Sequence, residues 1–238
     1  MIQQIIAVTI WAYFHIDGKK MALTIFDLDN TLLHGDSDYE WGQFLVAKKL
    51  VDEKEYEAAN KIFYEDYKNG TLDIIKYSAF SFKPLSIRSM EELADLHDEF
   101  MQVVITPIIQ IKSRELIKKH RECGDTLLII TATNGFITRP IAAELGIDNL
   151  LATEPLIVDG RYTTEVDGTP CFQEGKITRL NQWLESNNET MNNSTFYSDS
   201  YNDISLLELV DAPIVVDPDD KLRKGAATRE WEIISLRN

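Results

Sequence analysis

Cysteine is nearly absent from this chain of 238 residues: only Cys123 and Cys171 occur, far apart and without a metal-type spacing. That excludes a disulfide scaffold and a Cys-rich zinc site, and it fits a reducing cytoplasm as the expected location. Basic charge is the second deficit. Lys and Arg number 24 against 39 Asp and Glu, for a formal net charge of −15. Nucleic acids and anionic membranes are bound by basic faces, so neither is an expected partner. Long apolar runs are also missing. Ile5–Phe14 (IIAVTIWAYF) falls short of the roughly 20 residues that cross a bilayer. Lys19 and Lys20 follow that run rather than precede it, which is the reverse of a secretory signal. Residues 1–20 therefore read as an N-terminal appendage, with the folded unit starting near Ala22. There is no internal repeat and no low-complexity stretch.

What is present is a globular chain, 44% apolar, able to bury a real core. Leu23–Leu28 reads as a short buried strand ending in acid. Apolar positions then recur at helical spacing up to about residue 104, with Pro107 expected to close the last of these helices. A helix over Ile108–His120 is closed by Cys123-Gly124. From there strands and helices alternate: strands at Thr126–Thr131, Leu150–Thr153, Ser194–Tyr197, Pro213–Val216 and Trp231–Leu236, with helices between. Asp159-Gly160 and Asp167-Gly168 suggest turns of a small hairpin flap. The pattern predicts an α/β fold, a doubly wound, Rossmann-like parallel sheet. The helical block is too long for a simple crossover. It is expected to be an all-α cap, residues 36–105, inserted after the first strand into a core of residues 22–35 and 106–238.

Four signals fall at predicted strand ends, where such sheets bind ligands. They are Asp27-Leu28-Asp29-Asn30-Thr31, then Thr131, then Lys176, then Asp199 through Asp203. Singly, each has an ordinary explanation as a turn, a helix cap or a surface lysine. Together they bring several carboxylates into one crevice. Such a set repels itself unless a cation neutralises it, and an oxygen-only set suits Mg²⁺. A lysine and a hydroxyl beside it suit a phosphate, so phosphoryl transfer to an aspartate is the expected chemistry.

Asp27-x-Asp29-x-Thr31, a strand-end Thr131, Lys176 and Asp199-x-x-x-Asp203, in this order, resemble the motifs of haloacid dehalogenase-like phosphatases. The helical insertion looks like the cap of their phosphoserine-phosphatase-like branch. LDNTLLHGDSD, TATNGFITRP, PCFQEGK and YSDSYND are closer still to a bacterial subgroup that includes histidinol-phosphate phosphatases. The chain departs from phosphoserine phosphatases at Thr131-Ala132-Thr133, where they carry Ser-Gly-Gly, and at Ser198-Asp199-Ser200, where they carry Gly-Asp-Gly. The resemblance implies Asp27 as nucleophile and Asp29 as acid and base. It implies Mg²⁺ held by Asp27, the Asp29 carbonyl and Asp199, with Asp203 and Asn202 supporting the metal, its waters or the phosphate. Thr131 and Lys176 would hold phosphate oxygens.

The block 36–105 carries 15 acidic against 8 basic residues and 11 of the chain's 23 aromatics. Most of these rings must form core, as expected for Phe44 and Phe63. Acid plus aromatic also suits a cationic, ring-bearing alcohol, with Asp36, Asp38, Trp41, Tyr64 and Tyr67 as candidates. A small phosphorylated metabolite such as histidinol phosphate fits. Phosphoserine, a phospholipid phosphate, or a non-catalytic binding role on the same fold are the alternatives.

Overall fold

The computed structural model describes residues 22–237, so the reading of residues 1–20 as an appendage lies outside the described residues. Strand β1 (Leu23–Phe26) is followed by four helices, α1 (Ser37–Ala47), α2 (Glu53–Asn69), α3 (Ile74–Ser86) and α4 (Met90–Phe100). Then come α5 (Ile111–Glu122), β2 (Thr126–Asn134), α6 (Gly135–Glu144), β3 (Asn149–Val158), β4 (Arg161–Asp167) and α7 (Glu174–Asn187). The chain ends with β5 (Thr195–Ser198), α8 (Ile204–Leu207), β6 (Ala212–Val216), α9 (Asp220–Arg229) and β7 (Glu232–Ile234).

The strands form one seven-stranded sheet in the order β4-β3-β2-β1-β5-β6-β7. Every neighbouring pair is parallel except β3 with β4. The predicted α/β sheet is therefore present. β1 lies at its centre with β2 and β5 on either side, so the loops after these three strands open onto one crevice.

Side chains alternate across each strand and build a core on both faces. Leu23, Ile25, Leu128 and Ile130 pack with Leu180, Leu184 and Leu222 from α7 and α9. Phe26, Leu127 and Ile129 belong to the other cluster, which also holds Trp41, Leu45, Leu93, Phe100 and Ile117. Helices α1 and α4, the first and last of the insertion, thus share the core of the sheet. Helices α2 and α3 pair through their own rings, Tyr56 with Phe80 at 4.8 Å and Phe63 with Tyr77 at 5.3 Å.

Three local expectations are corrected. Pro107 does not end the helix before it; a wide turn, Met101–Ile105, follows α4, and Pro107 sits in the first turn of a short helical segment, Thr106–Ile108. A proline is tolerated there because its missing N–H has no helical partner to serve. Only Asp159-Gly160 turns a hairpin, with φ of 49° and 72° at its two residues. Asp167-Gly168 ends β4 instead, because the following Pro170 supplies no N–H and the next N–H, that of Cys171, is taken by Thr153 Oγ1 at 3.0 Å. β2 also continues past Thr131 to Asn134, whose side chain caps α6 by accepting from Ile137 N at 3.1 Å. Among the described residues no helix is long and apolar enough to cross a membrane.

α1 and α2 approach closely at Gly42, where a Cβ would lie 2.2 Å from the Tyr56 ring. In an open helix Gly→Ala gains about 0.5–1 kcal/mol; here overpacking against a buried ring costs about 1–3 kcal/mol. Gly42→Ala should therefore lower stability, read as the midpoint of urea unfolding. An unchanged or higher midpoint would mean that Tyr56 yields freely.

Candidate active site

The site begins where β1 ends. Asp27 N donates to Tyr197 O at 2.9 Å, which extends the sheet by one residue and sets the first carboxylate at the strand tip. The chain then turns through Asn30, at φ 56°, a conformation that Asn tolerates better than most residues. Arg237 braces this turn from the far end of the chain, donating to Asn30 O at 2.7 Å and Leu33 O at 3.0 Å. The turn brings Asp29 over β2. Its Oδ1 accepts from Ser37 N at 2.6 Å and its Oδ2 from Thr133 Oγ1 at 2.8 Å, with Thr131 Oγ1 at 3.5 Å.

Lys176 enters from α7. It is delivered by a tight loop in which Gln173 adopts φ 46° and a Cβ on Gly175 would fall 2.0 Å from Pro170 O. Only glycine fits that approach. The buried Lys176 Nζ lies 2.8 Å from Asp27 Oδ1 and 2.8 Å from Asp203, whose Oδ2 also accepts from Ser198 Oγ at 2.8 Å. Thr31 Oγ1 joins Asp27 Oδ2 (3.4 Å) to Asp199 Oδ1 (3.2 Å). Asp27, Asp29, Thr131, Lys176, Asp199, Asn202 and Asp203 thus line one cavity of about 960 Å³.

Electrostatics follow from crowding. Burial pushes Asp199 well above the usual carboxylate range, and the like charges of Asp27 and Asp203 push it further. Burial also raises Asp27, against the pull of Lys176. Asp29 rises to about 6, first through burial and then through Asp36. Burial draws Lys176 toward its neutral form, but Asp203 and Asp27 outweigh it and keep the ammonium. One ammonium thus stands among three carboxylates, two of them buried. No group of three or more His, Cys, Asp and Glu side chains among the described residues is arranged to hold an ion by itself. Mg²⁺ does not require one: it binds through one or two carboxylates and keeps waters. Asp27 and Asp199, oxygen donors bridged by one hydroxyl with excess negative charge, fit such an ion.

The candidates from the helical insertion separate. Asp36 lines the cavity; one of its oxygens caps α1 by accepting from Asp38 N and Tyr39 N at 3.0 Å, and among the described residues it makes no ion pair. Tyr64 and Tyr67 line the cavity too, as does Phe63, which was expected only as core. Asp38 is corrected: it is buried beneath α1, accepting from Tyr77 Oη at 2.7 Å and Ser81 Oγ at 2.9 Å, and it does not line the cavity. Burial raises it to about 6, with Tyr77 and Ser81 pulling the other way. Trp41 is corrected as well, being core among Phe44, His97, Phe100 and Phe136. Asn202 faces the cavity, but its amide spans the two sides, donating to Tyr67 O at 3.3 Å and accepting from Gln173 Nε2 at 3.1 Å. Sequence reasoning gave no role to Thr31, Thr133 or Ser198, nor to Ser200, which shares a 2.8 Å hydrogen bond with Tyr67 Oη. Thr31 stood inside the first motif, and Thr133, Ser198 and Ser200 stood where the chain departs from phosphoserine phosphatases.

A profile of the haloacid dehalogenase-like hydrolase family matches residues 24–208. This chain is a haloacid dehalogenase-like hydrolase. The histidinol-phosphatase of Neisseria meningitidis serogroup C is 47% identical to it over 219 residues, 90% of this chain and 99% of that protein. A phosphoserine phosphatase of Mycobacterium tuberculosis is 31% identical, over 91% of this hydrolase and 71% of its own length. Among solved structures, a protein of unknown function from Bordetella pertussis Tohama I superposes with a TM-score of 0.86 at 41% identity, covering 92% of this hydrolase and all of that chain. A substrate-bound phosphoserine phosphatase shares the fold, with a TM-score of 0.68 at 18% identity over 92% of this chain and 94% of its own. With these relatives the hydrolase is a phosphoric monoester hydrolase.

The network from Tyr77 and Ser81 through Asp38 makes a stability prediction. Asp38→Ala leaves the buried Ser81 hydroxyl and the half-buried Tyr77 hydroxyl without their acceptor and should cost about 1–3 kcal/mol for each one stranded. Thermal unfolding should fall accordingly, while the ratio of kcat/KM between a cationic ester and p-nitrophenyl phosphate stays constant. A ratio that collapses would return Asp38 to the substrate.

Proposed function

We propose that this hydrolase cleaves histidinol phosphate, with Mg²⁺, through an aspartyl-phosphate on Asp27. The observation that carries the chemistry is the Lys176 ammonium held between Asp27 and Asp203, with Asp29 poised beside them on Ser37 and Thr133. The substrate reading is supported by the 47% identical histidinol-phosphatase and by Asp36, a cavity-lining acid that makes no ion pair among the described residues.

Asp27, Asp199 and the Asp29 carbonyl would hold Mg²⁺, which when bound offsets the negative charge of the carboxylates and phosphate. An Asp27 oxygen forms the bond to phosphorus while the ester oxygen leaves. Asp29 gives its proton to that oxygen, releasing the alcohol. It then takes a proton from the water that attacks the aspartyl-phosphate, and inorganic phosphate leaves with Asp27 restored. Lys176 and the Thr131 hydroxyl steady the non-bridging oxygens. Asp203, with Ser198, acts as a positioning residue for Lys176. Asp36 receives the substrate's ammonium, and the insertion serves as the cap that closes over it. Asn202 joins the cap to the core through its contacts with Tyr67 and Gln173.

Asp27→Asn should lower turnover by at least about 10³-fold, since an amide is a poor nucleophile, in protein that stays folded by circular dichroism. EDTA should silence the wild type and Mg²⁺ restore it. Under the same conditions kcat/KM for histidinol phosphate should exceed that for phosphoserine. A preference for phosphoserine would overturn the substrate, and full activity in EDTA would overturn the metal.

A further inference from the structure

One face of α2 looks into the cavity: Glu57, Asn60, Lys61, Tyr64, Tyr67 and Lys68 all line it, at the spacing of successive helical turns. Some of these side chains are already engaged. Lys68 pairs with Glu65 at 3.1 Å and lies over the Tyr64 ring, and Tyr67 bonds Ser200. Asn60 differs. Its Nδ2 is shut off from bulk water and has no hydrogen-bond partner.

Buried amides without partners are rare in folded proteins, because each forfeits hydrogen bonds that water would have supplied. Among the described residues the other such atoms are Ser37 Oγ, Trp41 Nε1 and Ser113 Oγ, and none of those three residues lines the cavity. No hydrogen bond fixes the Asn60 amide, so turning it about the Cβ–Cγ bond to present either end to a ligand breaks none. Glu57 lies one turn before it. Tyr64 lies one turn after it with 61% of its surface exposed. A donor and acceptor, a carboxylate and an exposed aromatic ring, one side of it covered by Lys68, describe on one helix a receptor for a flat nitrogen heterocycle.

We propose that Asn60 is a specificity-determining residue that reads the imidazole ring of the leaving alcohol. Asn60 Nδ2 donates to the unprotonated ring nitrogen, Glu57 accepts from the ring N–H, and Tyr64 covers a ring face. This inference rests on the histidinol phosphate reading and assigns recognition of the ring to a place apart from the ammonium at Asp36.

The test compares wild type with Asn60→Leu, which keeps the approximate volume and removes both polar ends. Three esters are used: histidinol phosphate, phosphoethanolamine (an ammonium without a ring) and p-nitrophenyl phosphate. KM for histidinol phosphate should rise roughly tenfold or more, the effect of one lost hydrogen bond in a desolvated site, with kcat nearly unchanged. KM for the other two esters should stay within about twofold by the same reasoning. The melting temperature should hold or rise, since an unpaired buried group is removed, whereas a structural role for Asn60 would lower it. Asn60→Asp, which keeps the acceptor but not the donor, should lose the same preference. Equal changes on ringed and ringless esters, or none, would overturn the role of Asn60 and leave the substrate reading intact. A wild type that cleaves phosphoethanolamine but not histidinol phosphate would overturn both.

Discussion

A single ammonium, Lys176 Nζ, stands 2.8 Å from Asp27 and 2.8 Å from Asp203, and much of the surrounding structure follows from keeping it there. An unpaired charge in that position would be expelled or neutralised, and breaking a buried pair of this kind costs about 3–5 kcal/mol. The chain accepts strain to place it: Gln173 in a left-handed conformation, and a glycine at 175 where no side chain fits. Ser198 and Thr31 then fix the carboxylates around it. The result is a concave cluster with more negative charge than the lysine offsets. That excess matches the proposed role of the site, which is to gather a divalent cation and a phosphate into one place.

The insertion is tied to this cluster by polar contacts as well as by packing. Tyr67 meets Ser200, and Asn202 meets Tyr67 O, so the end of α2 rests on the loop that carries Asp199. At the other side Tyr77 and Ser81 of α3 donate to Asp38 of α1, and Ser81 accepts from Asn134 at the end of β2, so the three elements share one chain of hydrogen bonds. Burial raises the Tyr67 hydroxyl far above its ordinary range, with Asp199 adding to the effect, so it remains protonated at the interface. The walls of the cavity are thus set by the same residues that hold the insertion on the sheet.

The sheet was legible because buried parallel strands are apolar on both faces, and LTIF, TLLII and TFY announce themselves. The ends were less so. β2 runs on to Asn134 although Thr131, Thr133 and Asn134 are polar, because Asp29 takes the Thr133 hydroxyl while Ser81 and the start of α6 use the Asn134 amide. Such partners lie far away in sequence. In the site, the acids were visible only as a set: each pair alone reads as a turn or a helix cap, and it is their placement at successive strand ends, with Thr131 and Lys176, that points to one crevice. Asp36 and Asp38 were not separable: both flank the same helix start, and only the packing of α3 against α1 shows that Asp38 is consumed by Tyr77 and Ser81. Asn60 was invisible for a related reason, because an unpaired amide is defined by what does not surround it.

The central claim is that the carboxylate beside Lys176 becomes covalently phosphorylated in each catalytic cycle. Rapid acid quench of the Mg²⁺-loaded enzyme during turnover of histidinol phosphate, followed by peptide mass spectrometry, tests it directly. One phosphoryl group per chain is expected, on the peptide containing Asp27 and at that residue, formed and lost at rates compatible with kcat. Steady turnover with no covalent phosphate, or a phosphoryl group on Asp29 or Asp199 instead, would contradict it.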